Sequence, residues 1–431
     1  MKKQEKIKKI ADYIKSGEKK LEDITIGLEM ENFIVNKDDL KTVSYYGENG
    51  VGETLEYLTT KDFIPYKEGE YVLGLEKGEL SISTEPGSQF EVAIKSNTDI
   101  RNLENKFKEF FNELVPYLNS KNQMLVSLGY HPNMKIDEIK ILPKKRYDYM
   151  YDYFKNKGTM AHNMMKGTAS LQVTIDYLNE EDFKRKYFLS NVLTPIFYGL
   201  FDNTYIFEKE PLETYTIRQK IWENTDKERS GLFEIAFDED ISYEKYAEKI
   251  LNTPPIFIEN NGEYIYTKNR TLEDLADEYE LDEGLIFHAL SIVFPDIRVK
   301  TYIEMRMFDS VPYPLNFAIV ALIKGLFYNE ENIKKMCEIA KGTSYKEAIR
   351  GKEEVQKHGI NAVYLNKTIL EHGKTLTELA SKGLDENERN YLEPLKKMLD
   401  SKRTLRDEFK EIYTKEGLNA AVKPVVLKTE K

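Results

Sequence analysis

Four stretches of this chain alternate apolar and polar residues with a period of two, which is the pattern of strands with one buried and one polar face. In residues 24–35, Ile24, Ile26, Leu28 and Met30 share one parity, and Gly27, Glu29, Glu31 and Phe33 share the other. In residues 80–94, Leu80, Ile82, Thr84, Phe90, Val92 and Ile94 alternate with Ser81, Ser83, Glu85, Gln89, Glu91 and Ala93. A turn or bulge is expected there at Pro86-Gly87. In residues 167–177, Leu171, Val173, Ile175 and Tyr177 alternate with Gln172, Thr174 and Asp176. In residues 299–307, Ile303, Met305 and Met307 face one way, and Lys300, Tyr302, Glu304 and Arg306 the other.

Between these strands the period lengthens. Residues 1–20 read as a short charged helix. Residues 99–119 place Leu103, Phe107, Phe110, Phe111, Leu114 and Leu118 at helical spacing behind the capping run Asn97-Thr98-Asp99. Residues 183–207 are a long apolar helical stretch in which Pro195 predicts a kink or restart. From residue 313 the chain is predominantly helical, and a polar tail, 422–431, is expected to be loose. Residues 36–79 read as a mixed, mobile connection. Their glycine-rich run, 46–53, lacks the Gly-Lys-Ser/Thr ending of a phosphate-binding loop and reads as a turn or lid. The expected fold class is α+β, an antiparallel sheet with an open polar catalytic face and helices packed on the other face.

Composition narrows the function. The 431 residues carry 63 Lys and Arg against 74 Asp and Glu, a net charge of -11, which argues against a general nucleic-acid binder. The one cysteine, Cys337, sits in a helical pattern and excludes an intrachain disulfide or a cysteine-rich metal site. No run approaches a membrane span, and the lysine-rich start has no apolar signal region. A reduced, cytoplasmic protein with small-molecule substrates and neither nucleic-acid nor membrane partners is expected.

The polar faces supply the chemistry. Carboxylates at i and i+2 on a strand, such as Glu29 and Glu31, lie roughly 7 Å apart. At an effective dielectric near 20 they repel by about 2.4 kcal/mol. With Glu85, Glu91, Asp176 and Glu304, they form an acidic surface that a cation would stabilise. Hard oxygen ligands select magnesium or manganese, and magnesium points to a nucleotide triphosphate. Arg306, beside Glu304, suits charge on a transferring phosphoryl group. Arg218 and Arg229, around the one tryptophan, Trp222, suit a carboxylate or phosphate. The five histidines show no metal-binding spacing and read as surface or packing residues.

The stretches GLEMENF, ISTEPGSQFE, LPKKRYDYM, MMKGTASLQVTIDY, RQKIWENTDKERSGLF and VKTYIEMR, spread over about residues 24–312, together resemble the glutamate–cysteine ligase family of the plant and proteobacterial type. The resemblance implies a glutamine-synthetase-like catalytic sheet and an ATP-dependent ligase in which the γ-carboxyl of glutamate becomes an acyl phosphate that an amine attacks. By motif position, Glu29, Glu31, Glu85, Glu91 and Glu304 would hold magnesium, with ATP as co-substrate. Gln89, Gln172, Asp176, Lys145 and Arg146 would serve the nucleotide. Arg218, Trp222, Arg229 and Thr168 would bind substrate, and Glu304 and Arg306 would be catalytic. Residues 1–431 are then expected to be a single ligase domain, with a sheet-bearing core at about 20–315 and a helical part at about 313–421. Two runs depart from the family pattern, Lys166-Gly167-Thr168 after Met164-Met165, and Met307-Phe308-Asp309-Ser310. Both are expected to line the substrate pocket, so the acceptor is cysteine or another amine. A non-catalytic paralogue that binds nucleotide or glutamate is the third reading.

Overall fold

The first alternating stretch becomes β1, Ile26–Asn36, and everything else in the sheet is built outward from it. In the computed structural model, which describes residues 1–260 and 262–428, eight further strands join it. These are β2 (Ile64–Glu68), β3 (Tyr71–Lys77), β4 (Leu80–Thr84), β5 (Phe90–Asn97), β6 (Gln123–Val126) and β7 (Ser170–Ile175). A small hairpin, β8 (Phe257–Asn260) and β9 (Glu263–Tyr266), pairs with itself. The strands β10 (Ile297–Val299) and β11 (Ile303–Asp309) close the list. The order is β10-β11-β7-β1-β5-β4-β3-β2, antiparallel throughout, with β6 on the far half of β1.

Two of the alternating stretches are hairpins rather than single strands. The break at Pro86-Gly87 turns the chain fully from β4 into β5, with Ser88 at φ 69°. Residues 300–302 likewise turn β10 into β11, so Lys300 and Tyr302 lie in the turn. The mixed connection over 36–79 contains a helix and two strands that extend the sheet, with Val72, Leu73 and Leu75 buried.

The helices used below are α1 (Lys3–Lys15), α2 (Val51–Thr59), α3 (Ile100–Ser120), α4 (Lys145–Phe154), α5 (Glu180–Leu200), α6 (Ile217–Glu223), α7 (Glu283–Ser291), α8 (Leu315–Phe327) and α9 (Ile369–Gly383). The apolar parity of the sheet packs on α3, α5 and α8. Phe90 stacks on Phe110 of α3 at 6.3 Å, and Phe308 of β11 meets Phe197 of α5 at 5.4 Å. Every residue of α8 except Lys324 is buried, because α8 lies between the sheet and α9. That contact is close: a Cβ on Gly325 would sit 2.4 Å from the Ala380 carbonyl oxygen. The stretch around Pro195 is one helix, not two; Thr194 Oγ1 donates to the Ser190 carbonyl at 3.0 Å in the turn that Pro195 loosens. Among the described residues, no helix is long and apolar enough to cross a membrane.

The tail is docked where it is described. Val422, Val425 and Leu427 are buried. Ser127 N donates to the Val425 carbonyl and Leu427 N to the Leu125 carbonyl, both at 2.9 Å, so the chain runs beside β6. The apolar residues of this tail decide its fate more than its lysines do; residues 429–431 lie outside the described part. Val425→Asp is expected to lower the unfolding free energy by about 2–4 kcal/mol, because it buries a charge without a partner. A urea titration with an unchanged midpoint would contradict the docking.

Candidate active site

Antiparallel register places the polar residues in rows across the sheet. Ser83, Glu91 and Glu31 are cross-strand neighbours, then Ser81, Ala93, Glu29 and Gln172, then Gly27, Thr174, Glu304 and Arg298. Gly27 is needed in the last row, since a Cβ there would lie 2.2 Å from Thr174 Oγ1. A register shift between Met305 and Phe308 brings Arg306 over Gln172, whose Oε1 accepts from the guanidinium.

These rows floor a cleft of about 390 Å³. Glu29, Glu31, Glu85, Glu91, Gln172, Arg298, Lys300 and Arg306 line it, and Phe257, Tyr264, Phe287, His288 and Phe294 form an aromatic wall. A second cavity of about 590 Å³ adjoins it on the same face, over Gly27, Ser81, Ala93, Ser96, Thr174 and Asp176. Glu29 borders both.

The cluster is electrostatically polarised. Burial pushes the Glu29, Glu31 and Glu91 carboxyls up; Glu304 adds to this for Glu29, and Glu85 for Glu31 and Glu91, with Glu31 at about 7. Glu31 accepts from Ser170 N at 2.7 Å and Gln172 Nε2 at 3.1 Å, and Glu91 from Ser83 Oγ at 3.0 Å. Glu304 is the exception. Burial also raises it, but Arg298, Lys300 and Arg306 prevail and hold it well below the usual carboxylate range. Arg298 grips both its oxygens, at 2.5 and 3.1 Å, and Arg306 lies 3.2 Å away.

Beyond the acids, Trp222 lies between two guanidinium groups, Arg218 at 5.9 Å and Arg306 at 5.8 Å from its ring. Arg218 is 2% exposed, yet its Nε and Nη1 have no hydrogen-bond partner. Its charge pulls the Asp309 and Glu31 carboxyls down against burial, and its unspent donors remain for a further anion.

A family model, "Glutamate-cysteine ligase family 2(GCS2)", matches residues 25–424. The chain belongs to this family. Among its relatives, the chloroplastic glutamate–cysteine ligase of Arabidopsis thaliana is 29% identical over 395 residues, covering 88% of this chain and 74% of that protein. Glutamate–cysteine ligase A of Oryza sativa subsp. indica, also chloroplastic, is 28% identical over 392 residues, covering 88% and 78%. The fold is shared with the glutamate–cysteine ligase of Francisella tularensis solved in complex with AMP, at a TM-score of 0.58, 11% identity, and coverage of 93% and 88%.

Within this glutamate–cysteine ligase fold, not every expected residue reaches the cleft. Glu29, Glu31, Glu85, Glu91, Gln172, Arg146 and Arg306 line it, and Arg218 and Trp222 stand behind Arg306. Asp176 borders the second cavity, where its carboxylate accepts from Lys19 at 2.8 Å and from Thr25 N at 2.6 Å. Glu304 does not present free oxygens, because Arg298 holds both. Gln89 leaves the polar parity at the turn and bonds Gly87 N and the Met165 and Thr168 carbonyls. Thr168 Oγ1 donates to the Met164 carbonyl at 2.8 Å. Lys145 is exposed on α4. Arg229 is fully committed to Asp226 at 2.7 Å, Tyr153 Oη at 2.7 Å and the Ile292 carbonyl at 3.1 Å.

Neither departure from the family pattern lines the cleft, but the second abuts it, since Ser310 Oγ donates to the Glu31 carbonyl at 2.6 Å and Asp309 lies near Arg218. Lys166 Nζ donates to the Ile139 carbonyl, Phe308 is core, and Asp309 accepts from Asn203 N at 2.9 Å. The glycine-rich run, 46–53, is no phosphate cradle. Its Gly50, Val51 and Gly52 N–H groups bond the Gly47, Ser44 and Tyr45 carbonyls as α2 begins. Sequence reasoning missed Arg298, Ser83, Tyr147 and the aromatic wall; His288, read as a packing residue, lines the cleft. Parity carried back through the turn from Glu304 and Lys300 would have reached Arg298.

The raised carboxyls set a sign. A carboxyl whose folded pKa exceeds its unfolded one contributes stability below the unfolded pKa and loses it as pH rises through the folded pKa. For Glu31 that window runs from about 4.5 to about 7. Ligand-free protein is expected to lose on the order of 3 kcal/mol through Glu31 across this window. Glu31→Gln should flatten the decline in thermal midpoint between pH 5 and pH 8; an identical decline in the variant would contradict the assignment.

Proposed function

We propose that this chain is an ATP-dependent ligase that joins the γ-carboxyl of glutamate to the amine of L-cysteine through a γ-glutamyl phosphate. The carrying observation is the junction of a half-buried acid row with Arg306 and with Arg218, whose Nε and Nη1 are unpartnered, about one tryptophan. Opposite charges are held apart across one cleft, as a phosphoryl group moving between an anionic donor and an anionic acceptor requires.

The two cavities that meet at Glu29 supply the geometry. The larger has a floor of small side chains, Gly27, Ser81, Ala93 and Ser96, suited to a nucleotide. The cleft with the arginines suits glutamate. The γ-carboxylate oxygen bonds to the γ-phosphorus, and the bond from that phosphorus to ADP breaks with its electron pair leaving on ADP. The amine then attacks the acyl carbon, loses a proton and expels phosphate. Arg306 neutralises charge on the phosphoryl oxygens, held in place by Gln172 and Glu304. Arg218 holds a substrate carboxylate or phosphate. Arg298 keeps Glu304 ionised, and Glu304 in turn orients the guanidinium groups.

A divalent cation fits the remaining acids. Among the described residues, no three His, Cys, Asp or Glu side chains are set to hold a metal ion unaided. Magnesium is commonly held by one or two carboxylates together with water and substrate phosphates, so this donor set matches it. One or two at a time, Glu29, Glu31, Glu85 and Glu91 would hold it, and when bound it would neutralise the nucleotide's phosphates. The whole of residues 1–431 acts as one ligase unit in this proposal, supported by the sheet and C-terminal helices sharing a buried core. A cytoplasmic setting is part of the same reading.

The test is phosphate release from magnesium-ATP and L-glutamate, with L-cysteine or a panel of other amines, with products weighed by mass spectrometry. Cysteine-dependent release with a γ-glutamylcysteine product is expected. Turnover with another amine alone would replace the acceptor, and no turnover with any would overturn the reading.

A further inference from the structure

Six lysines of the described chain are buried, and five spend their ammonium groups on close oxygens. Lys6 lies 2.6 Å from Asp277, and Lys352 2.6 Å from Asp296. Lys144 and Lys186 lie 2.8 Å from the Thr84 and Asp176 carbonyls, and Lys166 lies 3.0 Å from that of Ile139. Lys300 differs. Its nearest hydrogen-bond acceptor is the Tyr302 hydroxyl at 3.3 Å, and the Glu304 carboxylate is 3.8 Å away. An ammonium has three donors, and burying them short of acceptors costs free energy.

Glu304 does not account for this lysine. Arg298 already bonds both its oxygens and Arg306 adds a third contact, and the other carboxylate facing Lys300, that of Glu29, makes no hydrogen bond or ion pair with it. The unspent Lys300 donors lie at the seam of the two cavities. Lys300 lines the arginine-bearing cleft, the next two residues, Thr301 and Tyr302, line the other, and Glu29 borders both. Above Lys300 the Phe287 ring lies 5.2 Å from Nζ and covers it. Donors left unspent, at the place where the two cavities join, under an apolar roof, form a site for a small anion.

We propose that Lys300 is a catalytic residue whose Nζ binds an oxygen of the phosphoryl group while it passes from the nucleotide to the glutamate γ-carboxylate. This rests on the ligase reading above. Lys300 keeps its proton throughout; the bond made is from carboxylate oxygen to phosphorus, and the bond broken is from phosphorus to the ADP oxygen. The contact strengthens as charge spreads over the equatorial oxygens in transit, so it acts on turnover rather than on substrate binding.

The experiment compares the full-length parent with Lys300→Met and Lys300→Arg. Turnover is measured with magnesium-ATP, L-glutamate and L-cysteine. Affinity is measured for magnesium-ADP and for magnesium-ADP with aluminium fluoride, a mimic of the phosphoryl group in transit, both with glutamate present. Lys300→Met is expected to lose about 10²–10³-fold in kcat, with KM for ATP and glutamate within about threefold. It should weaken the fluoride complex at least about tenfold more than ADP alone, and Lys300→Arg should recover part of both losses. A Lys300→Met kcat within about threefold of the parent would overturn the inference while leaving the ligase reading standing. Equal weakening of both complexes with a lowered thermal midpoint would assign Lys300 a structural role and overturn it too. A parent that releases no phosphate would overturn the ligase reading, and this inference with it.

Discussion

Like charges held close together on the cleft-lining face of a sheet are the constraint on which the rest of this structure depends. Glu29, Glu31 and Glu91 are within two residues of each other along or across strands, and half-burial in the cleft leaves them little water to screen their repulsion. Such an arrangement persists only if the backbone is rigid enough to prevent the acids from swinging apart. The layer beneath provides that rigidity. The apolar parity of the same strands is packed under α3, α5 and α8, and a one-residue slip in any strand would exchange its core face for its charged face. The aromatic contacts beneath the sheet and the ionic contacts above it are two consequences of one register.

The acids alone would be an unstable surface, and the opposite end of the sheet answers them. Arg298, Lys300 and Arg306 enter from β10, β11 and the turn between them; Glu304 binds the two arginines, and Glu29 faces all three cations. The result is a gradient across the cleft, from protonatable carboxyls on β1 and β5 to fixed positive charge on β11. A metal-bound polyphosphate suits the acidic end and a carboxylate in need of activation suits the basic end.

Period-two alternation made much of this legible. Glu29, Glu31, Glu91, Gln172, Glu304 and Arg306 were assigned to one face by parity, and the register puts them there. The reading failed where parity is lost. Gln89 follows Ser88, whose positive φ turns the chain, and its amide faces inward to backbone carbonyls. Arg298 went unnoticed because the turn after it contains no Gly, Pro or Asn to mark a hairpin. Arg229 was read as a substrate ligand, although Asp226 stands three residues before it and claims it. The tail, expected to be loose as a polar terminus, is instead positioned by Val422, Val425 and Leu427. The family resemblance supplied roles but could not say which side chains are already satisfied; that depends on contacts between residues far apart in sequence.

The most direct measurement is the proton count on binding. Carboxyls held up by burial and mutual repulsion must ionise when a cation arrives, so magnesium-ATP binding should release protons. Calorimetry at pH 7 in two buffers of different ionisation heat reads that number. This account predicts a net release of about one proton, reduced in Glu31→Gln. Binding with no proton release in either protein would contradict it.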